Sequence, residues 1–353
     1  MSGGVDSSVA AALLKDQGFD IEGAYMKNWA HEPDVFGRCP WQDDIDNARA
    51  AAEAIGIPFQ VVNLMDAYNA RVVRALVDGY ASGTTPNPDA LCNSEIKFGV
   101  FREFARAAGF DAVATGHYAR RAPGPSGTWD ILEAEDTAKD QTYFLALLRQ
   151  SQIRAALFPL GDMTKKTVRD TARRLALPNA DRKDSQGICF IGQVRMSDFL
   201  REFIPDRTGP IVDTGGRVIG EHPGLHHFTL GQRRGLRIPS NTFGRAYVVV
   251  AKRQADNALV VALEGPDAPG LYARRAMLAG TSFTNGPMLA PARVRARPRY
   301  RAPAAPATFT PLPENRAEIL FDEPQRALTP GQICAIYDGT RLAGGALFTQ
   351  ILE

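Results

Sequence analysis

Ser2-Gly3-Gly4-Val5-Asp6-Ser7-Ser8 is the stretch from which the rest of the chain is read. Adjacent glycines let the backbone turn tightly and gather successive N–H groups around one centre. The serine hydroxyls add donors, and Val9-Ala10-Ala11-Ala12-Leu13-Leu14-Lys15 continues as a helix. A glycine-rich turn opening a helix is an anion site, because unpaired N–H groups and the helix dipole point at the ligand. No lysine follows the glycines, so this is not the Walker loop that holds a transferring γ-phosphate. The bland alternative is a Ser/Gly turn that only caps a helix. Phosphate loops of this kind end a buried parallel strand, yet the loop begins at residue 2. The expectation is therefore that a first strand is missing, that Met1 is an internal methionine and that the natural chain starts upstream. Losing about five buried apolar residues, at roughly 1.5–3 kcal/mol each, exceeds the margin of most domains. A chain starting at Met1 is thus expected to be poorly stable in its first domain.

At 353 residues the chain is too long for one ordinary domain. An apolar fraction of 44% supports well-filled cores, and 41 basic against 39 acidic residues confine any nucleic-acid surface to a local patch. No apolar run is long enough to span a membrane, and no charged-then-apolar leader precedes the loop, which reads as a cytoplasmic protein with no membrane association. Cys39, Cys92, Cys189 and Cys334 are scattered, with no Cys-x-x-Cys pair, so neither zinc nor an iron–sulfur cluster is expected. In a reducing compartment a paired thiol points to chemistry before structure.

From the loop to about residue 207 strands alternate with helices. Ile21–Met26, Phe59–Leu64 and Asp111–Thr115 read as strands; Asp43–Ile55, Tyr68–Tyr80, Ile96–Ala108, Gln141–Leu157 and Lys165–Leu175 read as helices. This alternation predicts an α/β, doubly wound parallel sheet with ligands at the carboxyl ends of its strands. After Pro205, glycines, prolines and short β-branched runs predict two small β domains, at 208–270 and 271–353, the last a β-barrel.

Thr84-Thr85-Pro86-Asn87-Pro88-Asp89-Ala90-Leu91-Cys92-Asn93 is the second chemical stretch. Asn87 suits an N-cap and Pro88 a first helical position, which places Asp89 and Cys92 on one face. A cysteine near a helix N-terminus is biased toward thiolate, whereas a buried one is a small hydrophobe. Asp184-Ser185-Gln186-Gly187-Ile188-Cys189-Phe190-Ile191-Gly192 is the third, its cysteine following Arg182-Lys183. Cys39 and Cys334 take structural readings. His222, His226 and His227 lie in the Gly/Pro-rich β region, where no carboxylate or cysteine motif completes a metal site. Arg293, Arg295, Arg297, Arg299 and Arg301 recur at period two, which in one strand puts five guanidiniums on one face. Either a polyanion or scattered carboxylates must meet them. Arg233, Arg234 and Arg237 extend the basic surface.

The opening loop resembles the PP-loop of the ATP pyrophosphatase superfamily. Together with Asn-Pro-Asp-x-x-Cys and Asp-Ser-Gln-Gly-Ile-Cys, in that order, it resembles the tRNA-specific 2-thiouridylase family along essentially the whole chain. Met26-Lys27-Asn28-Trp29, Thr115-Gly116-His117-Tyr118, Lys139-Asp140-Gln141, Gly231-Gln232-Arg233-Arg234-Gly235, Arg299-Tyr300-Arg301 and Gly331-Gln332 carry it further. The resemblance implies ATP-dependent insertion of sulfur at C2 of the wobble uridine of tRNAs for Lys, Glu and Gln. It implies that Ser2, Gly3, Gly4, Val5, Asp6, Ser7 and Ser8 hold ATP with Mg²⁺, Asp6 helping with the metal, and that Met26 and Gly116 contact the nucleotide. Cys189 would carry a persulfide received from a cysteine-desulfurase relay, and Cys92 would attack and form a transient disulfide with it. Asp89 would move protons and, with Asn87 and Pro88, meet the flipped base. His117, Lys139, Asp140, Gln141, Arg299, Tyr300 and Gln332 would contact tRNA. Rivals are another PP-loop adenylating enzyme, which needs no such cysteine pair, and a non-catalytic tRNA-binding or sulfur-carrying protein.

Overall fold

The computed structural model describes residues 1–29, 40–183, 195–238 and 244–352. Cys39 and the Asp184–Gly192 stretch with Cys189 lie outside them. Val5–Asp16 is a helix with Asp6 in its first turn and Lys15 in its last, the charge order its dipole favours. Lys15 Nζ reaches across to the carbonyls of Ile55 and Gly56, where the neighbouring helix Pro40–Ile55 ends. Strand β1 (Gly23–Lys27) pairs in parallel with β2 (Phe59–Asn63). Further on, β3 (Val113–Ala114) is followed by β4 (Arg120–Pro123), β5 (Trp129–Leu132) and β6 (Ala156–Leu157), and β3 pairs in parallel with β6. Parallel strands joined through helices are the α/β arrangement the alternation predicts. Among the described residues no strand precedes the helix Val5–Asp16, and the two parallel pairs are not bonded to each other; the Met1 nitrogen donates to the Ala24 carbonyl on β1.

A four-stranded sheet follows, in the order β8 (Val218–His222), β7 (Gly209–Asp213), β10 (Ala258–Leu263), β9 (Tyr247–Arg253), with β7 and β10 parallel. The C-terminal region is a closed barrel. Its strands are β11 (Tyr272–Phe283), β12 (Ala292–Arg297), β13 (Ala305–Leu312), β14 (Arg316–Arg326), β15 (Ile333–Asp338) and β16 (Arg341–Ile351). The order runs β11-β14-β13-β12-β15-β16, and β16 returns to pair with β11, which removes the open edges of the sheet. Phe309, Phe321, Phe348, Ile319 and Ile336 fill it, and Cys334 sits among them, its thiol pKa pushed up by burial.

Two features depart from the sequence reading. The first is that β4 and β5 form a hairpin that joins the barrel sheet, with Ile131 against Leu342 and Leu132 against Arg341. A single apolar cluster therefore holds Phe98, Ile131, Tyr143 and Phe158 together with Ile333, Ala335, Tyr337 and Leu342. The second is that Gln141–Leu157 is not one helix. It resolves into a 3₁₀ turn (Thr142–Leu145), a short helix (Gln150–Arg154) and β6. Long-range bonds override local propensity here: Tyr143 Oη donates to the Ile333 carbonyl at 3.1 Å, Thr142 and Tyr337 hydroxyls meet at 3.0 Å, and Asn93 Nδ2 donates to the Phe144 carbonyl at 3.0 Å. Among the described residues no helix is long and apolar enough to cross a membrane.

The seam is also ionic. Arg297 on β12 donates to Asp140 at 2.8 Å and to Glu133 at 2.7 Å, with its side chain only 13% exposed. Removing one partner of such a group leaves buried charge uncompensated, at about 3–5 kcal/mol. Arg297→Met should therefore lower stability by that order. Arg293→Met, which breaks only exposed contacts, the pair with Asp322 and a hydrogen bond to Thr308, should change it by less than about 1 kcal/mol. Denaturant titration of the two variants checks the contrast.

Candidate functional site

Gly3 has φ +73°, and a Cβ on it would lie 2.5 Å from the Asp44 carbonyl oxygen and 2.8 Å from Arg182 Nη1. Only glycine fits this turn. Gly4 then enters the helix with extended φ/ψ and offers no side-chain cap, so the first-turn amides, which have no intrahelical acceptor, face outward chemistry unaided. Two of the serine hydroxyls work on the loop itself. Ser7 and Ser8 Oγ donate to the Gly4 carbonyl at 3.1 and 3.2 Å, and Ser8, fully buried, accepts from Asn179 Nδ2 at 2.9 Å. Asn179 and Arg182 also donate to the Gly3 carbonyl, at 2.9 and 3.0 Å.

The lysine that the loop lacks in sequence arrives from 159 positions away. Lys165 Nζ donates to both Asp6 oxygens, at 2.6 and 2.8 Å, and Tyr118 Oη donates to the same carboxylate at 3.0 Å. Lys165 opens the helix Lys165–Arg174, which Thr164 caps by accepting from the Thr167 amide. The sequence shows the helix but not its partner. The expectation that Asp6 is available to help a metal meets a carboxylate already held by Lys165 and Tyr118.

Gly116 joins the loop to the second chemical stretch. A Cβ there would stand 2.8 Å from both Asp6 C and Ser7 N, so the end of the β3 segment packs directly against loop backbone. Next to it, His117 Nδ1 lies 2.8 Å from Thr115 Oγ1. Its ring sits between Phe98 and Phe158, with centroids at 6.3 and 6.2 Å. Burial, and then the nearby Lys97 ammonium, push the imidazole pKa well below its ordinary value. Phe98 and Lys97 belong to the helical run over 88–107, which opens as the sequence predicts: Asn87 Oδ1 accepts from the Ala90 amide at 3.1 Å and Pro88 takes the first turn. Asp89 follows in that turn, and Cys92, 1% exposed, begins a π-helical stretch (Cys92–Val100). Wide turns of this kind recur at functional sites. Met26 ends half-buried on β1 against the cluster that contains Cys92. Lys97, Lys165 and Asn179 stand near the site and were missed by sequence reasoning.

The residues expected to meet a polyanion are mostly committed inside the molecule. Asp140 is 4% exposed and bonds Arg297, Thr142 and the Ala134 amide. Gln141 accepts from the Tyr118 amide at 3.0 Å, and Lys139 beside them is half-buried. Arg299 donates to the Ala327 carbonyl at 2.7 Å, and Tyr300 stacks at 4.4 Å on Phe144. The five-arginine face does not form, because β12 ends at Arg297 and Pro298 follows. Carboxylates meet two of its members, Arg293 and Arg297, while Arg295 and Arg301 stay exposed. Gln332 Nε2 donates to the Thr85 carbonyl at 2.7 Å, and the Thr85 amide donates to the Pro330 carbonyl at 2.8 Å. Gly331 between them sits so close to the Thr85 and Pro86 backbone that a Cβ would fall within 2.8–3.0 Å of it. A further correction concerns the histidines. A carboxylate does join them, since Asp206 lies 3.3 Å from His226 Nε2 and 2.6 Å from His227 Nε2.

An α/β domain opened by a glycine-turn loop, a small β sheet and a closed barrel packed on the segment that leads into Cys92 define a class of three-part proteins. Comparison with known families agrees part by part. Residues 1–193 match the tRNA methyl transferase HUP domain, 197–263 the tRNA methyl transferase PRC-barrel domain, and 277–348 the aminomethyltransferase beta-barrel domain. A tRNA-specific 2-thiouridylase MnmA from Akkermansia muciniphila is 55% identical over 99% of this chain and 98% of its own length. Those of Alkaliphilus oremlandii and Methylobacillus flagellatus are 43% and 42% identical, each over 100% of this chain and 96% and 98% of their own. The chain belongs to the tRNA-specific 2-thiouridylase MnmA family.

His117 supplies a pH test. Its folded pKa is depressed, so below the unfolded value of about 6.5 the unfolded chain takes up a proton that the native one refuses. Native stability should fall as pH drops through that window, and His117→Gln should flatten the fall. Nitrogen-15 NMR should find the imidazole still neutral a unit below about 6.5; protonation near the ordinary value would contradict the buried geometry.

Proposed function

We propose that this chain is an ATP-dependent tRNA-uridine 2-sulfurtransferase acting at the wobble uridine of tRNAs for Lys, Glu and Gln, with 2-thiouridine, AMP and pyrophosphate as products. The observation that carries the reading is the relay of contacts around Gly116 and His117. Gly116 lies on the phosphate-loop backbone, and His117 lies on the ring of Phe98, in the same helical run as Cys92. Nucleotide chemistry and thiol chemistry therefore share one locality. The relatives' name speaks of 2-thiouridylation, and the family model's of methyl transfer. The cysteine stretches favour sulfur, since a methyl transfer of this kind needs neither thiol.

The loop fits a nucleotide polyphosphate: the Gly3 turn, the helix end without a side-chain cap and the Lys165 ammonium all suit anionic oxygens. In this reading Ser2 to Ser8 cradle the phosphates, Met26 and Gly116 border the nucleoside and Mg²⁺ screens the charge. ATP supplies the adenylyl group that makes the uridine C2 oxygen a leaving group. Asn87, Pro88 and Asp89 hold the flipped base, with Asp89 moving the proton. His117, Lys139, Asp140, Gln141, Arg299, Tyr300 and Gln332 line the tRNA side, several of them by positioning backbone instead of touching phosphate. A cysteine-desulfurase relay loads Cys189 as a persulfide.

The terminal sulfur forms a bond to C2, and the C2–O bond breaks with its electron pair leaving on AMP. The Cys92 thiolate then attacks Cys189 Sγ, and the S–S bond breaks with its electrons kept by the sulfur on C2. Alternatively Cys92 attacks first and the released hydrosulfide attacks C2. Either route leaves a Cys92–Cys189 disulfide, reset by a two-electron thiol reductant of the cytoplasm. In this division of labour 1–207 is catalytic, 208–270 connects and 271–353 holds tRNA.

Mass spectrometry of tRNA incubated with the protein, Mg-ATP and a persulfide donor tests this. Wild type should exchange oxygen for sulfur at one uridine, and Cys92→Ser and Cys189→Ser should lose the product. Added methyl groups, or tRNA binding without any modification, would overturn it.

A further inference from the structure

Outside the site described above, one cluster brings together three groups with metal-ligand chemistry from two separate segments. Asp206 follows the helix Met196–Arg201, and His226 and His227 lie on the 3₁₀ turn Leu225–His227 beside the four-stranded sheet. One ligand atom from each lies within 4.8 Å of the other two. Both imidazoles aim Nε2 at the same oxygen, Asp206 Oδ1, His227 at 2.6 Å and His226 at 3.3 Å. The His227 contact is a hydrogen bond. The His226 nitrogen is buried and makes no hydrogen bond, although it faces that oxygen. The two rings lie with centroids 3.9 Å apart, tilted by 48°.

We infer that Asp206, His226 and His227 form a binding site for a first-row divalent cation of the zinc class, which fastens the segment after Met196–Arg201 to the middle sheet. Around Zn²⁺, with bonds of about 2.0–2.2 Å, tetrahedral ligands stand roughly 3.4 Å apart. The His226–Asp206 separation of 3.3 Å already matches, and the shorter His227 contact has to open by under about an ångström. Two imidazoles and one carboxylate are donors that suit zinc over magnesium or calcium. The histidine side chains are 6% and 7% exposed and Asp206 is 37% exposed, so the cation reaches the site from the Asp206 side and keeps a water in its fourth position.

Arg201 donates Nε to Asp206 Oδ2 at 3.1 Å, away from the ligating oxygen, and its charge is shared with Asp198 at 3.1 Å. It orients the carboxylate as an outer partner.

The test is equilibrium dialysis of full-length, chelator-stripped protein against Zn²⁺ alone, in a Cys92→Ser/Cys189→Ser background so that no thiol of those stretches competes. One zinc should bind per chain, and His226→Asn and His227→Asn should each lose it while keeping the far-ultraviolet circular dichroism of the parent. Zinc should raise the thermal midpoint of the parent and leave the histidine variants unmoved. X-ray absorption on the zinc-loaded parent gives an answer independent of variant folding: two imidazoles and no sulfur support the site. Absence of bound zinc, equal binding by the variants, or a shell without imidazole overturns it.

Discussion

The backbone seam between Thr85 and the barrel turn Pro330–Gln332 is the constraint on which the rest depends. Two hydrogen bonds of 2.8 and 2.7 Å tie the segment that leads into Asn87–Cys92 to a loop some 247 positions later in the chain. A side chain at residue 331 would push these backbones apart, because they approach to within a Cβ's reach. The seam does not act alone. The β4–β5 hairpin adds to the barrel sheet, Arg297 bonds Asp140 and Glu133, and the same apolar cluster runs through both parts. Barrel and α/β region are thereby one packed body at this face. The barrel sets where Cys92 stands.

On the other side of Cys92 a second chain of contacts reaches the phosphate loop. Cys92 begins a π-helical stretch that contains Lys97 and Phe98; Phe98 touches His117, and Gly116 rests on Asp6 and Ser7. Charges in this region arrive already paired, Lys165 with Asp6 and Arg182 with Asp44. A loop whose acidic residue is neutralised by a lysine presents its amides to an anionic ligand without a competing negative charge. That arrangement serves a polyphosphate better than the bare Gly-Gly turn would.

What could be read from residues alone follows the reach of local physics. The glycine turn, the Asn87–Pro88 helix start and the strands Gly23–Lys27, Phe59–Asn63 and Val113–Ala114 are local patterns, and they stand within about two residues of where the reading put them. The Lys165–Asp6 pair and the Thr85–Pro330 seam span 159 and about 245 positions, and no periodicity encodes such encounters. The run Gln141–Leu157 has helical composition, but Tyr143, Thr142 and Asn93 are claimed by distant partners, so it breaks into shorter pieces. The arginine repeat is period two in sequence, yet Pro298 ends the strand before Arg299. Carboxylates that only the fold brings near take Arg293 and Arg297.

If the barrel fixes the Cys92 segment through the Thr85 seam, Gly331→Ala should loosen it. Hydrogen exchange at the Thr85 amide, followed alongside sulfur transfer to tRNA in the same folded variant, is the measurement. Exchange should be faster by at least about tenfold, equivalent to ~1.4 kcal/mol of lost protection, together with a matching loss of thiolation while the barrel amides stay protected. Unchanged protection at Thr85 with full thiolation would contradict it.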